Sequence, residues 1–180
     1  MIPYITYNNL IINIRQALIT QSELDEKMVI NAVSARGPAL RKLISDNEST
    51  SLNLHDGFII FELLENKDSE NNIILQNDNN SSDNISEYKL LLKIYGNNCH
   101  EISQKLTSRF KMEDIIMELY SKGVWVRNIS FPETINEFVN DTVWPRCDLE
   151  LTIIVRYNIE ALKEIPYTDE LGEIIITDGR

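Results

Sequence analysis

The chain has 180 residues, which fits one domain, or one domain with short additions. Hydrophobic residues make up 43% of it and charged residues 25%, values typical of a soluble globular protein. The net charge of −11, without a Lys/Arg cluster, argues against a nucleic-acid groove, and no apolar run approaches the roughly 18 to 20 residues that span a bilayer. The start lacks a signal-peptide pattern, so we expect a cytosolic product without a membrane partner.

The N-terminal region predicts mainly helix. Apolar residues recur at helical spacing over residues 5–20. Ser22, followed by several acidic residues, is typical of the start of a second helix, because carboxylates suit the positive end of a helix dipole. The stretch MVINAV (28–33) is β-branched enough to be a strand instead, and ALRKLISD (39–46) predicts another short helical piece.

Two strands on either side of a polar insertion come next. GFIIFELLE (57–65) is rich in aromatic and branched residues, which predicts a strand. The segment 66–86 is rich in Asn and Ser and predicts a mobile hairpin or loop, in which the apolar island 73–75 can form one short strand. Residues 88–95 alternate in the way expected of a strand with one buried face.

A corner at residues 95–98 (Tyr-Gly-Asn-Asn) leads from this strand into two helices. It lacks the three glycines of a dinucleotide fingerprint and the Lys-Ser/Thr pair of a Walker loop. We therefore interpret it as a structural corner, in which Gly96 adopts a positive φ or a tight turn and the side chain of Asn98 caps the next helix. One helix is predicted to follow directly, the apolar stripe of a second covers 112–120, and Gly123 ends it.

The C-terminal part predicts strands around a loop. VWVRNIS (124–130) is a predicted strand, 131–145 is predicted to be mostly loop between two prolines, and 149–157 has the clearest period of two. GEIIIT (172–177) can add a short strand that docks on its own sheet or on a neighbouring subunit. This order of elements predicts an α+β fold: a single mixed, mainly antiparallel sheet with helices packed on it.

No catalytic, cofactor-binding or metal-binding residue can be selected from the sequence. The two histidines, His55 and His100, do not stand at metal-ligand spacing from cysteines or carboxylates. Cys99 and Cys147 are too few for a disulfide framework, so we expect reduced, buried thiols, with a reactive thiol as the alternative. We predict no enzyme activity, no cofactor and no metal site. A small thiol-dependent enzyme is the alternative.

Six residues near the last strands are candidate interface residues. Large aromatic side chains dominate binding hot spots, and a ladder of alternating charge can line a subunit contact. The alternatives are sheet packing for the aromatic residues and a solvated face for the charged ones. The candidates are Trp125, Trp144, Arg146, Asp148, Glu150 and Arg156.

A run of motifs resembles a known family. IYGNN (94–98) is followed by HEISQKL, MEDIIMELYSKGVWV and FPETIN, and then by the strand RCDLELTIIVRYN (146–158). In this order they resemble the neck or tail terminator proteins of tailed bacteriophages over about residues 56 to 160. The resemblance implies one terminator-like domain over 1–165 with the insertion at 66–86, and a C-terminal extension at 166–180.

The resemblance also implies a structural virion protein. Such proteins look like α/β subunits that form a ring, here expected to be a hexamer, on the last ring of the tail tube. The ring halts polymerisation of the tube and joins the tail to the neck and head. The implied partners are other copies of the chain, the tail tube protein, a neck or head connector protein, and genomic DNA that passes without specific binding, with assembly in the host cytoplasm. The alternative within the same neck is a head-completion or connector protein.

Overall fold

The computed structural model describes residues 2–32, 57–66, 73–76, 82–139 and 142–158, and two short strands at 167–168 and 174–175. The helices are α1 (Tyr7–Ser22), α2 (Cys99–Arg109) and α3 (Glu113–Ser121), and a 3-10 turn covers Glu26–Met28. The strands are β1 (Val29–Asn31), β2 (Phe58–Glu65), β3 (Ile73–Gln76), β4 (Ser82–Tyr95), β5 (Val124–Ile129), β6 (Glu133–Val139), β7 (Thr142–Asn158), β8 (Tyr167–Thr168) and β9 (Ile174–Ile175).

Seven strands form one mixed sheet in the order β1-β2-β4-β7-β5. Strand β3 pairs with the early part of β4, along the same edge as β2, and β6 pairs with the early part of β7, along the same edge as β5. The β1–β2 pair is parallel and the other pairs in this sheet are antiparallel. The predicted α+β fold, with one mixed and mainly antiparallel sheet, is therefore confirmed.

The long pair β4–β7 forms the centre of the sheet, and its alternation separates two faces. Successive side chains of a strand point to opposite faces, and residues such as Leu92 and Leu149, which lie opposite each other, are buried on the face that the helices cover. Helices α1 and α2 contribute the fully buried Leu10, Leu18 and Leu106 to this main core. We call the opposite side, which carries Lys93 and Asp148, the second face.

Helix α1 begins and ends at positions that its sequence explains only in part. The hydroxyl of Thr6 accepts a hydrogen bond from the amide of Asn9, which caps the first turn. Ser22 is the last residue of α1, and Glu23 follows it in the left-handed conformation with φ 61°. The predicted helix start at Ser22 is therefore wrong, and the strand alternative for MVINAV holds for Val29–Asn31. The acidic residues after Ser22 lead through the short 3-10 turn into this strand.

The segment between Pro132 and Pro145 was predicted to be mostly loop, which is wrong. Strand β6 and the start of β7 occupy most of it as an antiparallel pair. Pro145 is tolerated inside β7 because it lies one residue beyond the last β4–β7 pair, Tyr95 with Arg146. Its carbonyl still accepts a hydrogen bond of 3.0 Å from the amide of Gly96.

The corner after β4 is structural, but its cap differs from the prediction. Gly96 has φ +116°, in the region that favours glycine. Asn98 occupies the N-cap position of α2, yet its side chain makes no cap hydrogen bond, and its Oδ1 atom is buried without a hydrogen-bond partner. Gly123 follows the end of α3 at Ser121, as predicted, and has φ +83°. The apolar stripe of α3 is buried only at Leu119.

The insertion and the tail are described only in part. Within the insertion, β3 pairs with β4, which confirms the predicted short strand. In the tail, β9 pairs with β8 in a separate two-stranded sheet instead of adding to the main sheet. The segment ALRKLISD lies outside the described residues, as does His55. The domain boundary at residue 165 stays a prediction.

Candidate interaction surfaces

The structure brings the six interface candidates onto the second face of the sheet. Five of them stand at even-numbered positions of β7, so that they share one side of the strand. Trp125 belongs to β5 and lies opposite Ile154, another even-numbered residue of β7. Arg146, Asp148 and Glu150 therefore form the charged row that the sequence suggested, and Thr152 and Ile154 separate this row from Arg156. Whether it forms a subunit contact stays a prediction.

Arg146 is the centre of an ion-pair network at one end of this row. Its guanidinium lies 2.8 Å from Asp148 and donates a hydrogen bond to Glu137 of β6. The hydroxyl of Tyr95 donates a second hydrogen bond of 2.8 Å to Glu137. Burial alone would lower the pKa of Arg146, but the hydrogen bonds to Asp148 and Glu137 raise it overall. Burial and the bond to Glu137 raise the pKa of Tyr95 to about 12.

Trp144 and Arg156 are buried by contacts within the chain. Trp144 is 3% exposed and contacts Phe58 edge-on in a second hydrophobic cluster, where Phe58 also stacks on Tyr95. Arg156 is 8% exposed, and its guanidinium lies 4.2 Å from the ring centre of Tyr4. For Trp144 the structure therefore agrees with the packing alternative. Trp125 and Glu150 remain the more accessible candidates, and Glu150 forms an ion pair with Lys89.

The β6–β7 ribbon, residues 133–139 and 142–148, carries an exposed apolar surface that sequence reasoning missed. Phe138 is 75% exposed and lies directly opposite Val143, which is also exposed. Trp144, on the other side of the ribbon, is buried. Just before the ribbon, Phe131 is 84% exposed, and the amine of Lys111 lies 5.5 Å from its ring centre. The missed signal was the strand character of ETINEFV, which the flanking prolines obscured.

Among the described residues, no group of three or more His, Cys, Asp or Glu residues could hold a metal ion. A cleft at the corner after β4 is lined by residues of both charges, including Glu23, Glu101 and Lys105. Glu23 pairs there with Lys105 at 2.6 Å, and the hydrogen bond from Lys105 is the main cause that lowers its pKa. This pairing engages the amine of Lys105, and Lys27 also lines the cleft.

Within the described residues, no helix is long and apolar enough to cross a membrane. Exposed aromatic side chains such as Phe138 on the ribbon and Phe131 just before it are typical of surfaces that contact other proteins.

The chain belongs to the phage neck terminator protein family, whose model matches residues 26–179. This confirms the resemblance and extends it on both sides of residues 56 to 160. Comparison with curated proteins gives no match. The chain is therefore a structural component of the phage neck that associates with other neck or tail proteins.

Proposed function

We propose that this chain forms a closed ring that caps the end of the tail tube, halts its polymerisation and joins the tail to the neck and head. The observation that carries this proposal is the exposed Phe138–Val143 pair on the β6–β7 ribbon of a neck terminator family member. A large exposed aromatic side chain next to a branched one is costly in water, because apolar surface gains free energy when it is buried. A neighbouring molecule can supply that burial.

The ribbon has a geometry that suits contact between identical subunits. Strand β4 ends at the pair Tyr95–Arg146, while β6 and β7 pair on as far as Val139–Thr142. At about 3.3 Å per residue, the end of the ribbon extends roughly 10 Å or more beyond β4. In a ring, this end of one subunit contacts a different surface of the next, a heterologous contact that closes when the rotation between subunits closes. We expect six subunits from the family resemblance.

The two sides of the subunit differ, as a cap requires. Helices α1, α2 and α3 pack on one face of the sheet, and the second face presents the charged row of β4 and β7. A tube end binds one of these sides. The other side then lacks the surface that a further tube subunit needs, so growth stops. We place Trp125 and Glu150 of the second face among the residues that contact a neighbour or the tube.

Acidic residues are proposed to line the passage for DNA. The net charge of −11 repels a polyanion over distances of about a Debye length, roughly 8 Å at physiological salt. Glu113 and Asp114 in the first turn of α3 are exposed. Acidic side chains facing the channel let the genome pass without binding it, since affinity for DNA comes largely from contacts of basic residues with phosphates.

Electron microscopy of purified protein mixed with tail tubes tests this function. We expect the natural protein at one end of each tube. Phe138→Ser should prevent ring closure and end binding, whereas the matched variant Ile12→Ser removes another exposed apolar residue, from α1, and should bind normally. Circular dichroism of both variants verifies folding.

Protein scattered along the tubes, or equal behaviour of the two variants, would contradict the proposal. Particles that lack the protein separate the terminator role from the head-completion alternative. Overlong tubes are expected when a terminator is missing, and tubes of normal length without heads would indicate head completion instead.

A further inference from the structure

Cys99 and Cys147 form a pair of buried thiols that the proposed function does not use. Cys99 is the first residue of α2, and Cys147 lies on the core face of β7, opposite Ile94. Both are free and buried, and their Sγ atoms are 3.4 Å apart, although 48 positions separate them in the chain. The fold therefore places two thiols in contact between a helix and the central sheet.

We propose that Cys99 and Cys147 are a disulfide-forming modification site, which is a dithiol in the reducing host cytosol and is converted to an intrachain disulfide by hydrogen peroxide. A disulfide bond is about 2.05 Å long, so the two sulfur atoms must approach by roughly 1.3 Å. An approach of this size requires at least one of the two side chains to rotate about its Cα–Cβ bond. This inference is independent of ring formation.

The reaction consumes one peroxide for each pair. One thiol, as its thiolate, attacks an oxygen of hydrogen peroxide, the O–O bond breaks, and a sulfenic acid and water form. The second thiolate attacks the sulfur of the sulfenic acid, the S–S bond forms, and hydroxide leaves and is protonated to a second water. The two sulfur atoms lose two electrons to the peroxide, and the two thiol protons end in water.

Burial sets the rate of this reaction and explains why the pair stays reduced inside a cell. Two effects raise the pKa of Cys99 to about 12: burial, which is the larger, and the hydrogen bond with Cys147. Little thiolate therefore exists at neutral pH. A small oxidant that reaches the two thiols can still react, and alkaline pH accelerates the reaction because it increases the thiolate fraction. A crosslink between residues 48 positions apart constrains the unfolded chain. We therefore expect the disulfide to raise the melting temperature by about 5 to 15 °C.

The test treats the purified full chain with hydrogen peroxide at neutral pH and at about pH 9, where the thiolate is more abundant. The protein is then unfolded, alkylated with N-ethylmaleimide and weighed by mass spectrometry. We expect no alkylation, a mass loss of two hydrogen atoms, a higher melting temperature, and reversal of all three by dithiothreitol. Cys99→Ser and Cys147→Ser should each abolish the thermal shift, and Cys→Ala variants replace them if a serine variant does not fold.

Three outcomes would overturn the proposal. The first is that the natural protein keeps two alkylatable thiols at both pH values. The second is that it gains oxygen on each sulfur without losing hydrogen. The third is that it forms dimers linked through cysteine instead of an intrachain bond.

Discussion

Replacing Arg146 by Met should destabilise the protein through the network at the end of the charged row. The side chain of Arg146 is 15% exposed and serves both Glu137 and Asp148. Breaking a fully buried ion pair costs about 3 to 5 kcal/mol, and breaking an exposed one about 0 to 1 kcal/mol. Because the two carboxylates remain roughly one third exposed, we expect a loss of about 1 to 3 kcal/mol in the free energy of unfolding at pH 7.

Urea denaturation followed by tryptophan fluorescence measures this loss, since Trp144 lies next to the network in β7. Lys89→Met is the matched control. It removes one cation from the exposed pair with Glu150, whose atoms are 3.4 Å apart, and should change the free energy of unfolding by at most about 0.5 kcal/mol.

The pH dependence gives a second measurement on the same variant. Burial alone would raise the pKa of Glu137, but hydrogen bonds from Tyr95 and Arg146 lower it below the unfolded value of 4.5. The stabilising contribution of Glu137 is therefore present above pH 4.5 and is lost as the pH falls through the lower pKa of the folded state. The difference between the natural protein and Arg146→Met should narrow in this acid range. A loss no larger than that of Lys89→Met, or a difference that stays constant below pH 4.5, would refute the reasoning.

Two further variant pairs test the helices and the core by the same denaturation assay. Thr6→Ala removes the hydroxyl that caps α1 and should lower the free energy of unfolding by about 1 kcal/mol. Asn98→Ala should be nearly neutral, because the side chain of Asn98 makes no cap hydrogen bond. A loss at Asn98 as large as that at Thr6 would indicate that Asn98 caps α2 after all. Leu106→Ala empties a fully buried position and should cost about 2 to 5 kcal/mol. Met117→Ala, at an exposed position of α3, should stay within about 0.5 kcal/mol, and equal losses at the two sites would contradict the assignment of the core.

The fold could be predicted where burial repeats along the chain with a fixed period. The period of two in β4 and β7 was visible because the main core lies on one side of both strands. Strand β6 was missed because its only partner among the described strands is β7 and its side chains are largely exposed, so no burial period marks it. The cap at Asn98 was wrong because side-chain direction at a helix start depends on what the surrounding structure allows.

The candidate interface could be predicted as a set of positions but not as a surface. Arg146, Asp148 and Glu150 are two residues apart along β7, and this spacing was enough to place them on one side of the strand. Their partners come from other elements: Glu137 from β6 and Lys89 from β4. Trp144 and Trp125 are alike in the sequence, yet one is buried against Phe58 and the other is exposed.

The amino-acid sequence by itself determined the parts of the two long central strands that alternate regularly, residues 88–95 and 149–157, the helix between Cys99 and Arg109, and the family to which the chain belongs, because these depend on local periodicity and on motif order. Only the tertiary structure decided which aromatic residues are exposed, which charges pair, and that Cys99 meets Cys147. Those properties depend on contacts between residues far apart in the chain, and only folding brings such residues together.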